Sequence, residues 1–162
     1  MAPEKVEMRD LETDLGRTRV FWIRRHLLEK KPPLVLIHGW GAGAGAHFNL
    51  ILKINDFFFN FVGCFFRNVH EMAADRSLML IDLPGFAESD RPEFGSDPES
   101  DWIKSLQSVL RDELKHKFWL GGHSFGGFLA ARLAIEEGER LEGVILMDPW
   151  GFKVNFQILV PF

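Results

Sequence analysis

Four short runs of this chain are apolar at nearly every position: Leu34–Ile37 (LVLI), Ser77–Ile81 (SLMLI), Lys117–Leu120 (KFWL) and Gly143–Met147 (GVILM). Successive residues of a strand point to opposite faces, so a run that is apolar throughout has to bury both. That condition is met in the middle of a parallel sheet covered on each side. Between the second and third runs, Trp102, Ile103, Leu106, Val109, Leu110 and Leu114 recur at helical spacing. Two starts fit this helix: Ser96 opening a capping box with Glu99, or Asp97 as N-cap with Pro98 at the first helical position. A second helix is expected over Phe125–Glu137, closed by Gly138 at C′. Ahead of all of these, Thr18–Arg24 (TRVFWIR) is rich in β-formers and reads as a strand. Strand, helix, strand, helix, strand predicts an α/β fold, a mostly parallel sheet flanked by helices.

The chain has 162 residues, 46% hydrophobic and 26% charged, which fits a single globular domain over 1–162. A net charge of −4 without any Lys/Arg run argues against nucleic acid as a partner. One cysteine, Cys64, excludes an internal disulfide and points to a reducing, cytoplasmic setting. The charged N-terminus holds no apolar core of a secretory signal. The longest apolar stretch, Phe57–Phe66, has ten residues and an asparagine, too short to cross a bilayer as a helix. These features predict a soluble chain or one peripheral on a lipid surface.

Two segments break the rhythm. Residues 49–67 (NLILKINDFFFNFVGCFFR) carry six phenylalanines without a clean period, and the tail 153–162 shares their bias. Phe, Asn, Ile and Lys are the residues of AT-rich codons, and both segments begin or end where splice-like codons fit. They read as translated intron, with a natural aromatic-rich insertion that touches lipid as the alternative.

The third apolar run leads into Gly122-His123-Ser124-Phe125-Gly126, followed at once by a helix. A serine on such a strand-to-helix turn stands clear of the sheet, and its neighbours two places away must be small because backbones approach closely there. Gly122 and Gly126 meet that need. A phosphate-binding reading of the glycine-rich loop His38–Gly45 is the weaker one, since it lacks a Gly-Lys-Ser/Thr ending and a G-x-G-x-x-G tied to a later ribose-binding acid.

Together "HGWGAG", "LIDLPGFAESDRP", "GGHSFGGFLAARLA" and "GVILMDPWGF" resemble the α/β-hydrolase superfamily over most of residues 18–152. Within it they are similar to the branch of the lyso-N-acylphosphatidylethanolamine lipase and the adipose triglyceride lipase co-activator. The resemblance implies a serine lipase or esterase acting on acyl phospholipid or a related lipid ester. Ser124 would be the nucleophile, and the Trp40 and Phe125 N–H groups the oxyanion hole. No metal and no organic cofactor are implied. The expected partners are a lipid substrate, a lipid-droplet or membrane surface, and a second lipase. The alternative is a non-catalytic co-activator at lipid surfaces; co-activator relatives replace the elbow serine, whereas this chain keeps it.

The departure from that pattern is at the end of the chain. Resembling hydrolases supply acid and histidine after the serine, but the last of six histidines here is His123. A partial hydrolase fold is therefore expected, with its C-terminal strands missing and no activity on its own. Asp148 reads as a buried turn aspartate rather than the acid. His38 and His123 read as packing and loop-bonding residues rather than the base. His70 and Asp75 match an H-x₄-D pattern, taken as coincidence on a solvated helix. Trp102 and its stripe are expected in the core.

Overall fold

The computed structural model describes residues 6–23, 31–43, 65 and 68–152. The Phe-rich segment 49–67, Phe65 aside, and the tail 153–162 lie outside the described residues, as does Arg24 at the end of the expected strand Thr18–Arg24.

Leu34–Ile37 shows how the sheet is made. Val35 and Ile37 enter one apolar cluster, while Leu34 and Leu36 enter another on the opposite face. The strand labelled β3 (Leu34–Ile37) pairs in parallel with β4 (Leu78–Ile81) and β5 (Phe118–His123). On one side β4 continues antiparallel into β2 (Gly16–Ile23) and then β1 (Val6–Thr13). On the other, β5 pairs in parallel with β6 (Leu141–Met147). The six strands lie in the order β1-β2-β4-β3-β5-β6.

A short helix, α1 (Val69–Met72), covers one face with Phe65, Val69 and Ala73 against Phe21, Leu36 and Leu80. The other face is covered by α2 (Pro98–Glu113) and α3 (Phe125–Glu137). All six residues of the predicted α2 stripe are buried, among them Leu106, Val109 and Leu110 with no exposure. Of the two starts that fit α2, the structure has the second: Asp97 is the N-cap and accepts from the Ser100 N–H at 3.2 Å, with Pro98 at the first helical position.

Three expectations are corrected. The hairpin strand β1 escaped notice because its Glu, Arg and Asp residues alternate with Val6, Met8 and Leu11 in a half-exposed pattern that reads as a charged N-terminus. Gly138 is not a left-handed C′ residue: its φ is −41°, and the chain runs on as a 3₁₀ turn over Gly138–Arg140. That extra turn lets the Arg140 guanidinium donate to the Leu110 and Leu114 carbonyls at 3.1 and 2.9 Å, which closes the end of α2. Asp148 sits in a bend as expected, but it is exposed rather than buried, with φ +43°.

Candidate active site

Parallel strands that share one direction bring their following loops to one edge of the sheet, the usual place for a site in such folds. The residues singled out in the sequence meet there. Ser124 leaves β5 with φ +51° and ψ −117°, and directly begins α3. A non-glycine residue at that φ is held by its surroundings rather than by preference. Here the holding groups are visible. The Ser124 N–H donates to the Met147 carbonyl at 2.9 Å, and the Ser124 carbonyl accepts from Phe128 at 3.1 Å and Trp150 at 2.9 Å. The loop after β6 thus fastens the turn from the far side.

Close backbone approach explains the glycines. A Cβ on Gly122 would overlap the Gly126 carbonyl, and one on Gly126 would overlap the carbonyls of Ile37 and His38. A Cβ on Gly127 would meet Pro149 at 3.0 Å. The loop after β3 packs against the same turn, since a Cβ on Gly39 would lie 3.2 Å from the Ser124 Cβ. Trp40 is the next residue, and its ring stands 5.3 Å from that of Phe125. Phe125 is the first residue of α3, so its N–H has no intrahelical acceptor and lies at the positive end of the helix. Ser124, Trp40, Phe125, Gly122 and Gly126 are therefore brought together.

The histidines next to this turn are otherwise engaged. His38 is fully buried; its Nδ1 donates to the Gly39 carbonyl at 2.7 Å and its Nε2 accepts from the Leu83 N–H at 3.0 Å. Burial pushes its pKa down to about 4, against a smaller opposite pull from the Gly39 carbonyl. It is a neutral clamp joining the loops after β3 and β4. The His123 Nδ1 lies against Gly39, where an added Cβ would come within 3.1 Å, and the ring has further interactions. Asp75 is far from this turn in the topology: it precedes β4, at the sheet edge opposite the one from which Ser124 emerges. It pairs with Lys31 and Arg76 instead. The His70 side chain lies outside the described part of the structure.

One feature escaped the sequence reading. Trp102 is core, 8% exposed, with its indole N–H on the Pro84 carbonyl at 3.0 Å. Yet it also floors an open cleft of about 670 Å³ beside Phe125, walled by Trp40, Phe86, Phe94, Phe128 and Trp150. The rings meet mostly edge to face, as with Trp40 and Phe86 at 5.1 Å or Trp102 and Phe125 at 4.9 Å. These aromatics come from five separate segments, so no periodicity could have grouped them. Among the described residues no helix is long and apolar enough to cross a membrane.

Comparison with known proteins agrees with this architecture. The alpha/beta hydrolase fold family matches residues 32–161. The Caenorhabditis elegans abhydrolase domain-containing protein abhd-5.2 is 39% identical over 130 residues, 78% of this chain and 25% of that protein. The mouse (lyso)-N-acylphosphatidylethanolamine lipase is 35% identical over 77% of this chain and 32% of its own length. The rat 1-acylglycerol-3-phosphate O-acyltransferase ABHD5 is 33% identical over 78% of this chain and 32% of its own. This chain thus spans a quarter to a third of the relatives it matches. The crystal structure of naproxen esterase from Bacillus subtilis superposes with a TM-score of 0.68 at 21% identity, over 91% of this chain and 44% of that one.

Proposed function

Since this chain belongs to the alpha/beta hydrolase fold family, we propose that it carries the nucleophile-bearing part of a serine lipase or esterase acting on acyl phospholipid or a related lipid ester. The observation that carries the reading is Ser124 at φ +51°, on a turn whose flanking glycines leave no room for a Cβ, with the Gly39–Trp40 loop packed on it. In the reaction the Ser124 Oγ forms a bond to the acyl carbonyl carbon as its proton passes to a base. The carbonyl oxygen takes up the negative charge, and the Trp40 and Phe125 N–H groups stabilise it. Collapse of that intermediate expels the alcohol, whose oxygen takes the proton back from the base, and leaves an acyl-serine for water to cleave.

We infer that the described residues do not supply the base. All six histidines precede Ser124, and His38, the most deeply buried of them described, is already committed at both ring nitrogens. Loss of a triad histidine lowers turnover on the order of a millionfold in a comparable serine protease, which an oxyanion hole does not restore. These 162 residues alone are thus proposed to be inactive as a hydrolase. That same feature favours the second reading, a non-catalytic co-activator at a lipid surface, which needs the fold but no turnover.

The two readings separate on chemical rescue. Incubation with a p-nitrophenyl acyl ester and free imidazole should leave an acyl group on Ser124, read as a peptide mass shift absent from Ser124→Ala. Failure of imidazole to produce any acyl-Ser124 in the folded chain would remove the hydrolase reading and leave the co-activator.

A further inference from the structure

The strand β6 (Leu141–Met147) ends the sheet on the side away from β1, and among the described residues no strand pairs with its outer edge. Val144, Ile145 and Leu146 are 38–40% exposed there. The backbone shows which groups are left over. The Met147 carbonyl accepts from the Ser124 N–H, so the Met147 backbone faces β5, and alternate residues of a strand share that direction. Gly143 and Ile145 therefore face β5 with it. The N–H and C=O groups of Val144 and Leu146 point the other way, off the edge of the sheet.

Two observations say what fits this edge. At the far side of the sheet β1 carries Glu7, Arg9, Asp10 and Glu12, so β6 of one copy against β1 of another would set an apolar strand beside a charged one. That head-to-tail arrangement, which would run on as a filament, is disfavoured. Against itself, β6 matches. An antiparallel pair centred on Val144 sets Leu141 opposite Met147, Glu142 opposite Leu146 and Gly143 opposite Ile145, which uses the whole strand. Centring on Ile145 would instead set Glu142 opposite Asp148, two carboxylates face to face. With Val144 at the centre, Asp148 comes level with Arg140, which Glu137 also holds, and Glu142 meets no charge. We propose that β6 is the interface of a two-fold dimer in which the six-stranded sheets of two copies of this chain join edge to edge, Val144 against Val144. Antiparallel pairing turns the two Ser124 edges to opposite ends, so neither copy reaches the other's elbow. The inference thus stands whether or not Ser124 is a nucleophile.

Sedimentation equilibrium of the purified chain should give a mass twice that of one chain, falling to one on dilution. Val144→Pro removes an N–H that points off the sheet, and every bond to β5 survives. Circular dichroism should therefore be unchanged while the dimer dissociation constant rises about tenfold or more. In a Cys64→Ser background, Val144→Cys should form a disulfide-linked dimer on mild oxidation and Ile145→Cys should not, since only position 144 faces its own copy. A mass that climbs without limit, a monomer at every concentration, or a dimer that Val144→Pro leaves intact would each overturn the proposal. So would linking through Ile145→Cys alone, or dimers that form only once residues 153–162 are removed, meaning that the tail covers the edge.

Discussion

At the scale of single residues, His38 and the elbow glycines make the sharpest commitments. The folded chain keeps His38 neutral, with a pKa near 4, while an unfolded histidine takes its proton near 6.5. The unfolded state therefore binds more protons between those values, so stability is full above about pH 6.5 and falls as the pH drops toward 4. The loss should approach about 3 kcal/mol and then level off, measured as urea midpoints across that range. His38→Asn should flatten that slope, at the cost of the Leu83 N–H contact. At Gly122 and Gly126 an alanine would collide with backbone carbonyls that cannot move aside, so either change should cost about 3 kcal/mol or more. Gly138→Ala is the control: nothing lies within 4 Å of its added Cβ and its φ is −41°, so stability should hold or rise by a few tenths of a kcal/mol. The need for glycine at 122 and 126 was legible in the sequence because a turn motif fixes it. The clamp role of His38 was legible only as a preference, since its partner Leu83 is 45 residues away.

At the scale of elements, legibility followed burial. The strands β3 and β4 are apolar throughout and were read at once, β4 starting one residue later than expected, and β5 starts at Phe118 rather than Lys117 and runs on through Gly121–His123. Of the two edges, β6 was read from its apolar run, two residues short at its start, whereas β1 was missed. Along β1, Glu7, Arg9, Asp10 and Glu12 blunt the edge with charge. On β6, Val144, Ile145 and Leu146 are 38–40% exposed, and among the described residues no strand pairs beyond it. An apolar edge of that kind recruits other strands. Light scattering of the purified chain at rising concentration should show association, and Ile145→Lys should suppress it without loss of secondary structure. The turn after Gly138 was not legible for a different reason: its cause is Arg140 reaching a neighbouring helix.

For the molecule as a whole, the sheet, the elbow and the loop after β3 come together in what we propose is one half of an acyl-transfer site. Ser124 is strained and fastened through both of its backbone groups, and the oxyanion candidates are adjacent. The aromatic cleft beside it arises only when five segments converge, which is why fold class was readable from the sequence and the cleft was not. Fluorophosphonate labelling of the purified 162-residue chain asks most directly whether this half-site lacks its base. The folded chain should resist the reagent as completely as Ser124→Ala does. Rapid labelling at Ser124, abolished in that variant and accompanied by ester turnover, would show a proton acceptor within these residues and contradict the account.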